Sequence, residues 1–286
     1  MRFLSYKAGD RETWGAIVGN GVVDLRAAFG GRFESLAAYI GSSEYGRRGE
    51  LKLAQPELLL SDIQFLPVIP RPEKICCMVR NYLDHHNEVV ASGLKVELSK
   101  FPPIFLRVWR STTAHGQPIV RPAESDSLDW EGELAIIIGT PGRRIPESNA
   151  LSHIAGYSIF NDASVREWQF HAKQIASGKN FQNTGGFGPW MVSADEIPDP
   201  ENLKLQTRLN GEIVQSSDTS HHIFKIPQII NYCSTIFDLV AGDVITTGTP
   251  AGVGWSQKPP RFMKAGDVVE VEIEKIGTLR NPVIDG

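Results

Sequence analysis

Three carboxylates at the ends of apolar segments are the residues best suited to chemistry in this sequence. Glu131 and Glu133 open an apolar segment that runs to Gly139, and Asp162 ends a second one that begins at Gly156. Residues two apart on a strand point to the same face, so the two glutamates face the same way. Such carboxylates repel one another unless a cation lies between them, and oxygen ligands favour Mg²⁺ or Mn²⁺. We therefore predict one divalent metal ion at Glu131, Glu133 and Asp162.

Two other interpretations of these carboxylates stay open at this point. They could be solvated charges at the rim of a sheet, although Glu is a poor strand former and the run after Glu133 is strongly apolar. They could also be the acid/base pair of a glycosidase, since residues i and i+2 of a strand lie roughly 7 Å apart. Both would then emerge side by side, however, and not on opposite faces of a sugar ring.

A histidine and a glutamate three residues apart form a second candidate group. Asp84 to about Ser92 is predicted to be a short helix capped by Asp84, on which His85 and Glu88 share a face. A carboxylate beside an imidazole orients it and raises its basicity, so the pair can serve as a general base. The alternative is a surface helix with ordinary polar residues, which the residue types alone favour.

Cationic and amide side chains follow Asp162. Arg166 and Gln169 lie four and seven residues beyond it, so all three share one face if a helix begins at Asp162. Lys179 lies in a predicted loop. Singly these are ordinary surface residues, but together they would supply charges and donors for a dianionic substrate.

A glycine-rich segment, residues 247–254, could receive an anionic group. Its glycines and the hydroxyl of Thr249 suggest a tight loop that exposes N–H donors to a carboxylate or an oxyanion. The segment lacks the Gly-Lys-Ser/Thr ending of a phosphate-binding loop, so an NTPase is not indicated. A turn without a ligand is the alternative.

The surrounding pattern predicts an α+β, β-rich chain. Hairpins are expected at 14–23 and at 203–215, where Asn210-Gly211 suits a type I′ turn, and Pro227 suits the first turn of a helix. Prolines cluster between Phe65 and Lys74, which indicates a stiff connector.

These features divide the chain into three parts. We predict a small N-terminal α/β accessory domain over residues 1–65, a Pro-rich connector over 66–74 and a catalytic metal-binding domain over 75–286.

Composition narrows the range of partners. The formal net charge of −4 over 286 residues gives no reason to expect nucleic acid or an anionic membrane as a partner. No apolar run approaches the length of a membrane span, and the first residues lack the apolar stretch of a signal peptide. The odd count of cysteines, with Cys76 and Cys77 adjacent, suits buried thiols in a reducing compartment. We therefore expect a cytoplasmic protein.

The order of these motifs resembles the fumarylacetoacetate hydrolase family, in particular its acylpyruvase and 2,4-dioxo acid hydrolase-like members. The resemblance covers about residues 71–283. The motifs behind it are NYLDHHNE at 81–88, EGEL at 131–134, NDASVREWQ at 161–169, Lys179 and TGTPAGVG at 247–254.

The resemblance implies a mixed β-roll core, a homodimer, and Mg²⁺ or Mn²⁺ at the carboxylate trio. It also implies that the histidine–glutamate pair lies on a lid. The residues assigned to catalysis are His85, Glu88 and Lys179, and those assigned to substrate binding are Arg80, Tyr82, Arg166, Gln169 and Thr249. Three positions depart from the family pattern and are expected to affect substrate choice, together with the segment 92–103: Val79, Arg107 and Gln182.

The implied reaction is metal-dependent hydrolysis of a carbon–carbon bond in a 2,4-dioxo acid of the acylpyruvate type, giving pyruvate and a carboxylic acid. His85, oriented by Glu88, would activate water, and chelation by the metal would make an enolate a tolerable leaving group. One alternative is a decarboxylase or isomerase of a 2-oxo acid such as oxaloacetate or a 2-hydroxydienoate. A second alternative is a keto-acid binding protein without turnover, which would need no base.

Overall fold

The structure, a computed structural model, describes residues 1–93 and 95–286. In chain order its strands are β1 Arg2–Ala8, β2 Arg11–Val18, β3 Gly21–Asp24, β4 Leu58–Leu59, β5 Gln64–Phe65, β6 Ile75–Met78, β7 Ile104–Arg107, β8 Thr112–Ala114, β9 Ile119–Arg121, β10 Leu128–Asp129, β11 Gly132–Ile138, β12 Ile154–Asn161, β13 Ser164–Val165, β14 Gly185–Ser193, β15 Lys204–Leu209, β16 Glu212–Asp218, β17 Val244–Thr246, β18 Val268–Ile273 and β19 Gly277–Asp285. The helices are α1 Leu25–Ala28, α2 Leu36–Ile40, α3 Leu83–Ala91, α4 Arg166–Gln169 and α5 Ile226–Ile236. Short 3₁₀ helices lie at Ser43–Glu50, Trp109–Ser111, Glu147–His153, Ile175–Lys179, Ala194–Glu196, Thr219–His221 and Gly254–Ser256.

A long mixed sheet forms the centre of the molecule, with the strand order β4-β3-β2-β1-β14-β12-β11-β17-β6-β7. Strand β5 adds to β1, and β8 adds to β14. Strand β11 is antiparallel to both β12 and β17, while β17 and β6 are parallel. The strand-rich α+β character predicted from the sequence is confirmed. None of the described helices is both long enough and apolar enough to cross a bilayer.

The apolar character of β11 follows from burial on both of its faces. A strand covered on both sides has no position for a solvated side chain, so it is continuously apolar and does not alternate. Its side chains enter two different hydrophobic clusters, with Leu134, Ile136 and Ile138 in one and Ala135 and Ile137 in the other. This packing holds the strand in register and so fixes where its carboxylate-bearing end lies.

A second sheet, with the order β16-β15-β18-β19-β9, packs on the end of β11. Gly132 allows that close approach. A Cβ atom at this position would lie 2.3 Å from Thr207 Oγ1 and 2.9 Å from Val271 Cγ1. The glycine between the two glutamates is therefore required by the packing of the second sheet against the first.

The N-terminal residues extend the main sheet. Strand β1 pairs antiparallel with β14, and Phe3 lies opposite Met191. Phe3, Trp14 and Tyr39 belong to the same hydrophobic cluster as Phe160 of β12. The predicted hairpin is confirmed as β2–β3. The division of the chain at the Pro-rich connector stays a prediction.

Local expectations elsewhere had mixed outcomes. The hairpin β15–β16 turns at Asn210-Gly211, and Pro227 lies in the first turn of α5, as predicted. A helix does follow Asp162, but residues 164–165 first pair with β10 as strand β13, so helix α4 begins at Arg166 and does not include Asp162. The prediction that Asp84 caps α3 is wrong, because the N-cap is Tyr82 and Asp84 lies in the first turn of the helix. The three cysteines are buried and free, as expected.

A buried histidine packs close to the start of α3. His222 forms a β-bridge with Tyr82, and the two rings meet edge to face with their centroids 4.7 Å apart. Neither ring nitrogen of His222 has a hydrogen-bond partner among the described residues. Burial, with a smaller repulsion from Lys225, lowers the pKa of His222 to about 3. The ring is therefore neutral in the folded protein.

This neutral histidine should weaken the protein in acid. Its contribution to the free energy of unfolding is fully present above about pH 6.5, the ordinary value of the unfolded side chain, and is lost as the pH falls towards the folded pKa of about 3. The loss is about 1.4 kcal/mol per pH unit. We expect His222→Phe to reduce this acid slope, measured by urea unfolding at pH 7 and pH 5. The exposed neighbour His221, changed to Gln, is the control, and equal slopes in both variants and the wild type would contradict the assignment.

Candidate metal centre and adjoining cavity

The structure brings the three predicted carboxylates together. Glu131, Glu133 and Asp162 are buried, and one oxygen of each lies within 4.8 Å of the others. The antiparallel pairing of β11 with β12 is responsible, because Gly132 lies opposite Asn161. The backbone N–H of Asp162 also donates to the carbonyl of Glu131 over 2.8 Å. Carboxylates at the ends of two neighbouring strands thus converge at one point.

Cationic side chains surround this group. Lys179 Nζ lies 2.7 Å from Glu131 Oε2 and 2.7 Å from Asp162 Oδ2. Arg166 Nη1 lies 2.6 Å from Glu131 Oε1, and Arg107 Nη1 lies 2.5 Å from Asp162 Oδ1. Buried charges need such partners, because an isolated charge loses its hydration on burial. Two of the three carboxylates are thereby neutralised by the chain itself.

Glu133 is the exception. Its Oε2 accepts a hydrogen bond from the N–H of Gly248 over 2.8 Å, but its Oε1 is buried without a partner among the described residues. Burial, followed by repulsion from Asp162 and Glu131, raises its pKa well above the ordinary value. Burial also opposes ionisation of Glu131, but Lys179 and Arg166 outweigh it and lower the pKa of Glu131 to about 2. A hard divalent cation would satisfy the free oxygen and relieve the repulsion, so these residues fit Mg²⁺ or Mn²⁺.

The predicted histidine–glutamate pair is formed on helix α3. His85 Nδ1 lies 2.8 Å from Glu88 Oε2. Glu88 Oε1 accepts hydrogen bonds from the N–H of Gly252 over 2.9 Å and from Ser256 Oγ over 2.6 Å. Burial raises the pKa of Glu88, but the hydrogen bonds from His85, Ser256 and Gly252 outweigh it, so the net pKa is lowered. When Nδ1 donates to this carboxylate, Nε2 is the basic nitrogen of the ring.

A cavity of about 200 Å³ adjoins the carboxylates. Its polar lining comes from residues predicted for the site, namely Arg80, His85, Glu131, Arg166, Gln169, Lys179 and Thr249. Its other walls are apolar and come from Met78, Val79, Val89, Val96, Phe105, Phe170, Ile175, Val253 and Trp255. The cavity thus combines charged and polar side chains with apolar walls.

Tyr82 does not line this cavity, contrary to the assignment made from the sequence. Its side chain is fully buried, and its ring packs on His222. The cause is its place at the N-cap of α3, directly after Asn81, whose side chain bonds the backbones of Thr247 and Phe224. The segment preceding the helix is thereby held inward, against the body of the protein.

Arg80 has an uncommon backbone and a free guanidinium nitrogen. Its φ angle is +49°, in the left-handed region that side chains rarely adopt. Its Nη1 is buried and has no partner within the described residues. Burial lowers the pKa of this guanidinium. A strained backbone beside an unpaired cation on a cavity wall is typical of a ligand-binding residue.

The departures from the family pattern have different outcomes. Arg107 is buried behind Asp162 and is not on the cavity wall, and Gln182 is exposed in a separate groove beside Trp109. The expectation that these two residues shape the substrate pocket is therefore wrong. Val79 does line the cavity, and so does Val96 of the segment 92–103. Leu94 of that segment lies outside the described residues.

Two residues that support the site, Asp129 and Ser256, were not predicted from the sequence. Asp129 accepts a hydrogen bond from Arg166 Nε over 2.8 Å, and Ser256 donates to Glu88. The sequence does contain an indication for Asp129, because this residue lies two positions before Glu131, the same spacing that separates Glu131 from Glu133. For Ser256 the local sequence has no comparable signal.

Comparisons with known proteins agree with the motifs. A family model described as fumarylacetoacetate (FAA) hydrolase C-terminal matches residues 74–284. The mitochondrial oxaloacetate tautomerase FAHD2A of Bos taurus is 38% identical over 271 residues, which cover 93% of this chain and 85% of that protein. The oxaloacetate tautomerase YisK of Bacillus subtilis is 39% identical over 243 residues, which cover 84% of this chain and 80% of that protein.

Solved structures show the same fold. A fumarylacetoacetate hydrolase from Exiguobacterium antarcticum has a TM-score of 0.85 and 34% identity, with 100% of both chains covered. A maleylpyruvate hydrolase from Sphingobium, in complex with manganese(II) ion and pyruvate, has a TM-score of 0.82 and 26% identity, again with 100% of both chains covered. The family fold expected from the motifs is confirmed, and this chain is a member of the fumarylacetoacetate hydrolase family of enzymes.

Proposed function

We propose that this protein interconverts the keto and enol forms of a 2-oxo dicarboxylic acid such as oxaloacetate, with a divalent metal. This is the isomerase alternative raised by the sequence, and it takes precedence over carbon–carbon hydrolysis. The observation that supports it best is a pair of arginines on one small cavity. Arg80 and Arg166 both line it, and each has a buried guanidinium nitrogen without a partner in the described residues. Two such cations suit a substrate with two carboxylates. The tautomerase names of relatives that cover most of this chain support the same substrate class.

The residues of the chain suit a proton transfer between carbon and oxygen. A divalent ion held by Glu131, Glu133 and Asp162 would supply Lewis-acid polarisation of the 2-oxo group. His85, oriented by Glu88, would take a proton from C3 and deliver it to the C2 oxygen, and it would reverse both transfers in the other direction. Lys179, the ammonium group on the cavity wall, would stabilise negative charge on the C2 oxygen. The net change is one proton moved from carbon to oxygen, and no bond between heavy atoms breaks.

Hydrolysis of an acylpyruvate remains the second candidate, because two observations favour it. The His85–Glu88 pair could equally deprotonate water. The apolar wall formed by Phe105, Phe170 and Trp255 could receive an acyl group. Both reactions would use the same carboxylates and the same base, so only a comparison of substrates can distinguish them.

The direct test is a substrate panel with Mg²⁺ or Mn²⁺. We expect the protein to accelerate the decay of enol-oxaloacetate, followed by its ultraviolet absorbance, and EDTA to return the rate to the spontaneous one. Acetylpyruvate and fumarylpyruvate, assayed for released pyruvate, should react much more slowly, and captured CO₂ should stay at background. Rapid pyruvate release from either acylpyruvate would reverse the order of the two candidates. A rate that is indifferent to EDTA would exclude the metal.

Glu133→Gln should affect metal affinity and metal-free stability in opposite directions. The amide removes a metal ligand, so we expect Mn²⁺ affinity in calorimetry to fall at least about tenfold. It also removes the repulsion from Asp162 and Glu131, so the metal-free protein should gain about 1 kcal/mol in urea unfolding. Glu124→Gln, at an exposed position, should change neither quantity. Unchanged Mn²⁺ affinity in Glu133→Gln would contradict the metal assignment.

Arg80→Gln should discriminate between dicarboxylates and monocarboxylates. A charge-assisted hydrogen bond contributes about 1.5–3 kcal/mol, which corresponds to roughly 10- to 100-fold in KM for oxaloacetate. Binding of pyruvate, which lacks the second carboxylate, should change by less than about threefold. Arg110→Gln, outside the cavity, is the matched control. An equal loss for pyruvate and oxaloacetate would show that Arg80 does not recognise the second carboxylate.

A further inference from the structure

We propose that Asp129 is a positioning residue that joins the guanidinium of Arg166 to the segment supporting the His85–Glu88 pair. The inference rests on the proposed function in one respect, which is that the cavity is the place where substrate binds. Asp129 does not line the cavity and does not belong to the carboxylate trio, so it would act through its neighbours. Its replacement should therefore affect both Arg166 and the His85–Glu88 pair.

Four hydrogen-bond donors contact the carboxylate of Asp129. The side chain is fully buried, and Arg166 Nε donates to Oδ2 over 2.8 Å. The N–H of Gly254 donates to Oδ1 over 2.8 Å, and the N–H of Trp255 donates to Oδ2 over 3.0 Å. The N–H of Trp130 adds a further bond to Oδ1 over 2.9 Å. A carboxylate accepts on both oxygens, whereas an amide of the same shape would turn an NH₂ group towards one set of donors.

A second carboxylate, that of Glu88, also bonds the clamp segment, which comprises residues 252–256. Gly252 donates its N–H to Glu88 over 2.9 Å, and Ser256 donates its hydroxyl to the same oxygen over 2.6 Å. Asp129 bonds the middle of this segment, and Glu88 bonds its two ends. A displacement of the segment at Asp129 would therefore disturb the hydrogen bonds that hold Glu88.

The backbone of the clamp segment packs closely on Asp129. A Cβ atom at Gly254 would lie 2.8 Å from Asp129 Oδ1 and 1.8 Å from the carbonyl oxygen of Arg261. Because the backbone approaches this closely, only glycine fits at this position. The clamp segment also contributes the side chains of Val253 and Trp255 to the cavity wall.

On the other side, Asp129 orients Arg166. Asp129 accepts a hydrogen bond from Arg166 Nε. Arg166 Nη1 lies 2.6 Å from Glu131 Oε1 and donates to Gln169 Oε1 over 2.9 Å. Nη2 is left without a partner in the described part of the chain. The planar guanidinium has a fixed geometry, so holding Nε and Nη1 also sets the direction of Nη2. Loss of Asp129 should thus weaken substrate binding through Arg166 and turnover through Glu88.

The experiment compares Asp129→Asn with Asp243→Asn. Asp243 is a matched control, because it is buried, accepts the N–H groups of Lys74 and Val240 over 3.0 and 2.8 Å, and pairs with Lys74 Nζ at 3.1 Å. It does not line the cavity. Three properties would be measured in the full-length protein loaded with Mn²⁺. They are amide hydrogen exchange resolved to single residues, pyruvate affinity by calorimetry, and kcat and KM for oxaloacetate.

We expect both variants to unfold at lower urea, but only Asp129→Asn to affect the site. In that variant the N–H of Gly252, which bonds Glu88 and not Asp129, should exchange at least tenfold faster. The Kd for pyruvate should rise at least tenfold, KM for oxaloacetate should rise and kcat should fall. In Asp243→Asn all of these should stay within about twofold of the wild type.

Wild-type exchange at Gly252 in Asp129→Asn would overturn the proposal, and so would equal losses in the Asp243 variant. If the asparagine variant does not fold, Asp129→Ser and Asp243→Ser replace the pair, since a smaller side chain leaves room for water at the donors. A wild-type protein that neither binds pyruvate nor tautomerises oxaloacetate would count against the proposed function. The exchange rate of Gly252 would still decide the role of Asp129.

Discussion

Compensation of charge inside a closed site is the constraint on which the rest of this structure depends. A carboxylate that leaves water for a protein interior loses its hydration, and only cations or hydrogen-bond donors can replace that loss. In the described residues the site contains four buried carboxylates, Asp129, Glu131, Glu133 and Asp162, and three buried cations, Arg107, Arg166 and Lys179. Glu133 is the carboxylate without a cationic partner in the described residues, and burial together with repulsion from Asp162 and Glu131 raises its pKa. A site one cation short is suited to receive a metal ion.

The fold delivers this arrangement through strand register. Strands β11 and β12 are buried on both faces, so a slip by one residue would turn the carboxylates to the opposite face and exchange the side chains packed in the two clusters. Packing of two hydrophobic clusters against β11 prevents such a slip, and Gly132 lets the second sheet close over the strand end. The stability of the core and the geometry of the carboxylates therefore have the same origin.

The proposed use of the cavity is compatible with more than one reaction. The carboxylates, the His85–Glu88 pair and Lys179 would serve any chemistry that places negative charge on a 2-oxo acid. Arg80 lines the same cavity together with apolar side chains. In the proposed reaction this arginine receives the second carboxylate of the substrate, so that substrate choice and proton transfer are assigned to different residues. The family resemblance identified the shared residues, and the Nη1 atom of Arg80, which has no partner in the described residues, marks the residue proposed for substrate choice.

The sequence by itself determined the features that depend on local pattern. Alternation along a strand grouped Glu131 with Glu133, helical spacing paired His85 with Glu88, and turn residues located the hairpins. Tertiary structure alone decided contacts between distant segments. Arg107 reaches Asp162 across 55 positions, and Asp129 reaches the clamp segment across 125. No local spacing encodes such contacts, because they exist only after two sheets have packed and the chain has brought remote donors to the same buried carboxylates.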